Sequence, residues 1–310
     1  MVATNVNQWV PVEYGGKLFQ QVARNSALLT VTSAPGGRRE PMSSRTKIIP
    51  KATEVNVQFT AKGAAYGLDT TAVENFEIEA RKMTAAVQLD EEDIQDTKGF
   101  VDTVSAKRFA AFNGFATLLD NAAFAASGDK TDEPTMDRPY QSLYNAMSKE
   151  STWTDQRFTF DRSSGTAADF RSAFLGAVEW AEDSEWNDGT LAWIMGYGFT
   201  SYLRNNPVDG SNGQPLWDGK NEIAGYEIAA KSKGLRLSLN AVQRPTGNPL
   251  AFVGPLSTIV AGVREDLKWR VTDPHTGIGA LSETSYFTAE QRIAAGVGAP
   301  EGWAVVELIP

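Results

Sequence analysis

The chain has 310 residues, of which 42% are hydrophobic and 22% charged, with a net charge of −9, a single histidine and no cysteine. That composition belongs to an ordinary globular protein, long enough for one large domain or two modest ones, and not to a disordered chain. It excludes disulfides, thiol nucleophiles and the usual cysteine and histidine zinc sites, and it argues against a charge-driven, high-affinity nucleic-acid reader.

In chain order, the opening Met1-Val2-Ala3-Thr4-Asn5 has neither a basic start nor an apolar core, so no secretory leader is expected. Residues 1–45 read as an irregular arm. A short helical pattern runs from Lys17 to Leu29, with Leu18, Val22 and Leu29 on or near one face. Ala34-Pro35-Gly36-Gly37-Arg38-Arg39 follows as a basic link rich in helix breakers. Arg38 and Arg39 are either DNA-facing cations or part of a solvated face.

Residues 46–89 predict two long strands around a glycine-containing tip. Val55, Val57 and Phe59 alternate on the way out, and Phe76, Ile78 and Ala80 on the way back. The phase slips at Arg81-Lys82, because the next alternating set is Met83, Ala85, Val87 and Leu89; a β-bulge is the expected cause. A lone two-stranded hairpin is marginal in water, so this one is expected to lean on another subunit. Asp90 and Asp93 suit a helix start. From about Thr97 to Ala126 the apolar residues fall in two adjacent helical stripes. One holds Val104, Ala111, Phe115, Leu118, Ala122 and Ala125, the other Phe109, Phe112, Ala116, Leu119, Ala123 and Ala126. Only a strip through Asn113, Thr117, Asp120 and Asn121 is polar. Such a rod needs neighbours on several sides.

Residues 127–161 read as loop-rich. Ala167 to Glu182 is helical by pattern, Leu191 to Met195 a buried strand, and Gly196 to Leu203 a turn entering a helix. Short strands are expected at Tyr226 to Ala230, Leu235 to Leu239 and Leu250 to Val253. Residues 256–263 are open to either assignment. Alternation at Leu267, Trp269 and Val271 is followed by strand-like stretches from Tyr286 to Ile293 and from Trp303 to Leu308.

Catalytic parts are wanting. His275 sits in the turn-like Thr272-Asp273-Pro274-His275-Thr276-Gly277, and no G-x-S-x-G elbow presents a serine. Gly277-Ile278-Gly279-Ala280-Leu281-Ser282 only half-resembles a dinucleotide loop, and no P-loop is present. Asp90, Glu91, Glu92 and Asp93 are better explained by helix capping than by a cation. Glu179, Glu182, Asp183 and Glu185 read as the wet end of an amphipathic helix. No convergent acid, base and nucleophile emerges, so no catalytic residue, cofactor or metal is expected.

The order of parts, with several local sequences, resembles the major capsid protein of tailed bacteriophages with the HK97-type fold. The sequences are Met83-Thr84-Ala85-Ala86-Val87-Gln88-Leu89-Asp90-Glu91-Glu92-Asp93-Ile94, then Leu191-Ala192-Trp193-Ile194-Met195 followed by Phe199 to Arg204, and Asn212-Gly213-Gln214-Pro215-Leu216-Trp217. Ile223-Ala224-Gly225-Tyr226-Glu227-Ile228 and the closing Phe287-Thr288-Ala289-Glu290-Gln291-Arg292, Gly296 and Trp303-Ala304-Val305-Val306 complete the set. The likeness spans nearly the whole chain and departs at Gly254-Pro255, where many members place Gly-Asp.

The resemblance implies an α+β fold: an N-arm over 1–45, an E-loop hairpin over 46–82, a P-domain over 83–160 with a long spine helix at about 97–126, a central A-domain over 161–260, and a return to the P-domain over 261–310. It implies a head protein of the virion, assembled in the host cytoplasm. Copies would form hexamers and pentamers of an icosahedral shell around double-stranded DNA touched without specificity. Portal protein, a separate scaffolding protein and a decoration protein are the further partners; no membrane is involved. Lys62, Gly63, Tyr66, Gly67 and Asp69 at the E-loop tip would act in assembly. Covalent cross-linking through Lys62 is not expected, nor is a fused N-terminal scaffold, since 1–45 lacks sustained heptads. An encapsulin-type compartment enclosing a cargo enzyme is the alternative on the same fold, and a hydrolase with an unrecognised site is a third possibility.

Overall fold

A computed structural model of the chain describes residues 26–51, 74–90, 103–125, 140–205, 217, 221–232, 236–237, 247–272 and 284–310. The fold is mixed α+β. Among the described residues the larger sheet has seven strands, in the order β5 (Arg157–Asp161), β13 (Ala304–Ile309), β10 (Asn248–Pro255), β6 (Leu191–Gly196), β8 (Tyr226–Ser232) and β7 (Glu222–Ile223), with β9 (Arg236–Leu237) also on β10. Its central strands are near-continuous apolar runs because both faces are covered. Ala192, Ile194, Leu250, Phe252, Trp303 and Val305 point to one core. Leu191, Trp193, Met195, Ala251, Val253, Ala304 and Val306 point to the other.

The first core is closed by α1 (Ala27–Ser33), the C-terminal half of α2 (Thr103–Phe124) and α3 (Leu143–Lys149). The short α4 (Trp153–Gln156) leads into β5. The second core is closed by α5 (Ala167–Asp183) and α6 (Tyr197–Asn205). Helix α5 starts where Thr166 and Asp169 form a reciprocal capping box, and Phe170, Phe174, Ala177, Val178 and Ala181 supply its buried stripe. Phe174 stacks on Trp193 with ring centroids 4.3 Å apart. Ala224 and Gly225, both at positive φ, make the two-residue turn between β7 and β8. Gly254 is needed for a different reason: a Cβ there would lie 2.5 Å from the Trp303 ring.

The second sheet has the order β1 (Arg38–Pro41), β11 (Ile259–Thr272), β12 (Thr284–Val297), β4 (Arg81–Asp90). Its inner face, with Met83, Ala261, Ala289, Ile293 and Ala295, shares the first core. Against its other face, at Val260 and Ala294, packs the base of a hairpin, β2 (Thr46–Lys51) with β3 (Glu74–Glu79), through Ile49, Ile78 and Ala80.

Several expectations need correction. The phase slip at Arg81-Lys82 is no bulge: the chain leaves the β2–β3 hairpin at Glu79 and enters another sheet at Arg81. The hairpin base leans on its own chain first. The helical pattern begun at Lys17 is realised, within the described residues, as Ala27–Ser33. Arg38 and Arg39 belong to a strand paired in parallel with β11, not to a loose link. The loop expected over 127–161 contains α3, α4 and β5. In α2 the polar strip is itself buried at Asn113 and Asp120.

Candidate functional site

Lys62, Gly63, Tyr66, Gly67 and Asp69 lie outside the described residues, as do His275, residues 277–282 and Glu91, Glu92 and Asp93. Asp90 is the last residue of β4. Arg38 donates from Nε to Glu40 Oε1 at 2.9 Å, and Lys47 Nζ reaches Glu40 Oε2 at 2.5 Å. These two hydrogen bonds, Lys47 first, hold the Glu40 carboxyl below its ordinary range. The Arg39 guanidinium is 3.7 Å from Asp266 Oδ1 on β11. Both arginines thus carry carboxylate partners on a solvated face. At the end of α5, Glu182 accepts a hydrogen bond from the Tyr226 hydroxyl at 2.6 Å.

Two shallow open clefts, of about 240 and 290 Å³, adjoin along the hairpin base and share Phe76, Gln141, Ala146 and Val297. The cations Arg81 and Lys51 on their walls are paired, Arg81 with Glu79 at 2.5 Å and Lys51 with Glu301 at 2.6 Å. Their lining offers no histidine or serine to act as base or nucleophile. Among the described residues no group of three or more His, Cys, Asp or Glu is placed to hold a metal ion, and no helix is long and apolar enough to cross a membrane.

What the surface does offer is apolar. Ala116, Leu119 and Ala123 are buried on α2, and the same helical row continues outward through Phe112 and Phe109. Those two phenylalanines are 38% and 40% exposed, Leu118 51%, and Ile48 on β2 60%. Covering each phenylalanine fully would gain on the order of 1 kcal/mol. Cation–π packing of Arg108 near the Trp269 and Phe287 rings, at 6.0 and 5.9 Å, braces this end of α2 against the second sheet.

Two buried carboxylates went unseen in the sequence. Glu307, on β13, is 1% exposed and binds Arg157 Nη2 at 2.8 Å and Nε at 3.0 Å, Asn248 Nδ2 at 2.6 Å and the Tyr144 hydroxyl at 3.3 Å. It ties β5, β10 and α3 to β13. Burial, then the charge of Glu307, pushes the Tyr144 hydroxyl upward. Asp120, on α2, accepts from Ser26 Oγ, the Ala27 and Leu28 N–H groups and Ser232 Oγ. The available signal was an acid inside an apolar row: Ala116, Leu119 and Ala123 around one, Val305, Val306 and Leu308 around the other.

No protein-family model and no curated protein sequence matches the chain. Its fold, however, is that of phage capsid chains. A chain from Mycobacterium phage Bobi matches with a TM-score of 0.69 at 17% identity, covering 99% of this chain and 98% of that one. The capsid of an empty GTA particle matches with a TM-score of 0.58 at 14% identity, over 100% and 98% of the two chains. The capsid of cyanophage P-SCSP1u gives 0.59 at 15% identity, over 99% and 94%. At such identities the likeness is one of fold.

Proposed function

We propose that this chain is the major shell-forming protein of a tailed-phage head, built on the HK97-type plan. The observation that carries the reading is the fold shared, over nearly the full length of both chains, with the capsid of the GTA particle and that of the cyanophage. One feature of the chain supports it. Apolar side chains at Ile48, Phe109, Phe112 and Leu118 are left for neighbours to cover. A heterologous contact repeated with curvature closes into a shell.

On this plan residues 1–45 are the N-arm, 46–82 the E-loop, 83–160 and 261–310 the P-domain with α2 in its spine helix, and 161–260 the A-domain. The tip residues Lys62, Gly63, Tyr66, Gly67 and Asp69 serve assembly and bind no ligand. Copies group as hexamers and pentamers around double-stranded DNA, with portal, scaffolding and decoration proteins as the further partners, and the shell forms in the host cytoplasm. The net charge of −9 suits a wall that encloses DNA without adhering to it. The ion pairs of Arg38 and Arg39 favour a structural role at the start of the second sheet over contact with phosphate. The protein is not an enzyme on this reading.

Gradient-purified particles, treated with nuclease and then opened, test the reading. Protected double-stranded DNA inside a shell made mainly of this chain is the expected result. A cargo enzyme and no nucleic acid would replace it with a cellular compartment.

A further inference from the structure

Helix α1 is seven residues long, too short to persist alone, and the N–H groups of its first turn need acceptors. Its own N-cap serves only the third: Ser26 Oγ accepts from Leu29 N at 3.4 Å. The first two are taken by a distant side chain. Asp120 Oδ2 accepts from Ala27 N at 2.9 Å and Oδ1 from Leu28 N at 3.1 Å. The Ser26 hydroxyl donates to the same Oδ1 at 2.6 Å. A carboxylate at the positive end of a helix is also favoured by the helix dipole.

The remaining bond comes from elsewhere. Ser232, the last residue of β8, donates its hydroxyl to Asp120 Oδ2 at 2.6 Å. Ser232 and Ala27 therefore share one oxygen. Asp120 is 1% exposed, and a carboxylate in such a place is held there only by its donors. Taking one donor away leaves the buried charge short of a partner and raises the cost of keeping the carboxylate where it meets α1.

We infer that Asp120 is a latch coupling the N-terminal helix to the central sheet: α1 stays docked while Ser232, at the end of β8, holds the shared carboxylate. Loss of that bond would then loosen the first turn of α1 at the carboxylate, while Leu28 and Val31 keep its apolar side in the core. All the contacts lie within one chain, so the latch does not depend on the shell reading.

Hydrogen exchange on the full-length protein, read by mass spectrometry over residues 26–33 and 250–253, tests this. In Asp120→Asn an NH₂ group faces a backbone N–H, so exchange across α1 should rise about tenfold or more while Leu250–Val253 is unchanged. Ser232→Ala is the decisive variant, because the single O–H of Ser232 is given to Asp120 and so cannot be given to α1. It should speed exchange in α1 about threefold or more, again with the β10 segment unchanged. Wild-type exchange in α1 of Ser232→Ala overturns the coupling. Equal acceleration of α1 and β10 overturns it too, because that is general destabilisation. If Asp120→Asn does not fold, Ser232→Ala and Ser26→Ala decide: coupling through one carboxylate requires their effects on α1 to be non-additive, and strict additivity refutes it.

Discussion

Asp120 and Glu307 are polar residues in the wrong place by sequence rules, and each marks a junction of segments far apart in the chain. Burial raises the Asp120 carboxyl above its ordinary range, although its hydrogen bonds pull the other way. The folded chain therefore takes up this proton at higher pH than the unfolded chain, whose value is about 3.9. Stability contributed by that proton grows as pH falls from neutral toward the ordinary carboxylate value, and is lost as pH rises through the folded value. Denaturation curves of wild type and Asp120→Asn across that window should show wild type gaining relative to the variant on acidification. Parallel curves, or the opposite slope, would contradict the assignment. Glu307→Ala should cost about 3 kcal/mol in chemical denaturation of the unassembled chain. The cost stays at the low end for a broken buried pair because Arg157, 36% exposed, retains access to water. A loss below about 0.5 kcal/mol, the range of ordinary surface substitutions, would mean that the four-sided junction is dispensable. Neither role was legible beforehand, because a single helix or strand pattern says which face is odd but not what arrives from residue 26, 157 or 232 to meet it.

Among elements, periodicity served well wherever one face or both were buried within the chain. The runs Leu191 to Met195 and Leu250 to Val253 are strands buried on both sides, and Ala167 to Glu182 follows its apolar stripe to within a residue. It failed where two sheets meet. The slip at Arg81 has the same signature as a bulge, and only pairing partners distinguish them: Glu79 faces Thr46, while Arg81 faces Ile293. Helix α3 was missed because six of its seven residues are buried, which erases the amphipathic pattern. Helix α2 makes the opposite point, since its apolar stripes are real but only partly used by this chain. Replacing Phe109 and Phe112 together by Ser should leave far-UV circular dichroism nearly unchanged and lower the denaturation midpoint modestly, since both rings are partly buried, while reducing assembly yield by about tenfold, the equivalent of about 1.4 kcal/mol per contact. Undiminished assembly would show that this end of α2 is not a contact surface. Deleting residues 62–69 should likewise leave a folded chain, with open or incomplete assemblies in place of closed shells. Normal particles from the deletion would refute an assembly role for the tip.

At the scale of the whole molecule, the chain crosses between two sheets repeatedly, and one continuous core joins them through Phe252, Trp303, Ile293 and Leu119. The parallel pairs β1 with β11 and β5 with β13 bring residue 38 beside 260 and residue 157 beside 305. No local pattern encodes such partners, which is why the order of elements was readable and their division between sheets was not. A core of this kind is complete within one chain, whereas the α2 stripe and the outer side of β2 are not. That division of labour suits the proposed shell subunit: a body with its own core, and edges that keep apolar side chains exposed. Electron microscopy of the purified full-length protein under assembly conditions is the direct test. Closed, hollow particles with fivefold and sixfold clusters of subunits are expected. A uniform small oligomer that never closes, under conditions where the chain is folded and concentrated, would contradict the shell reading at its root.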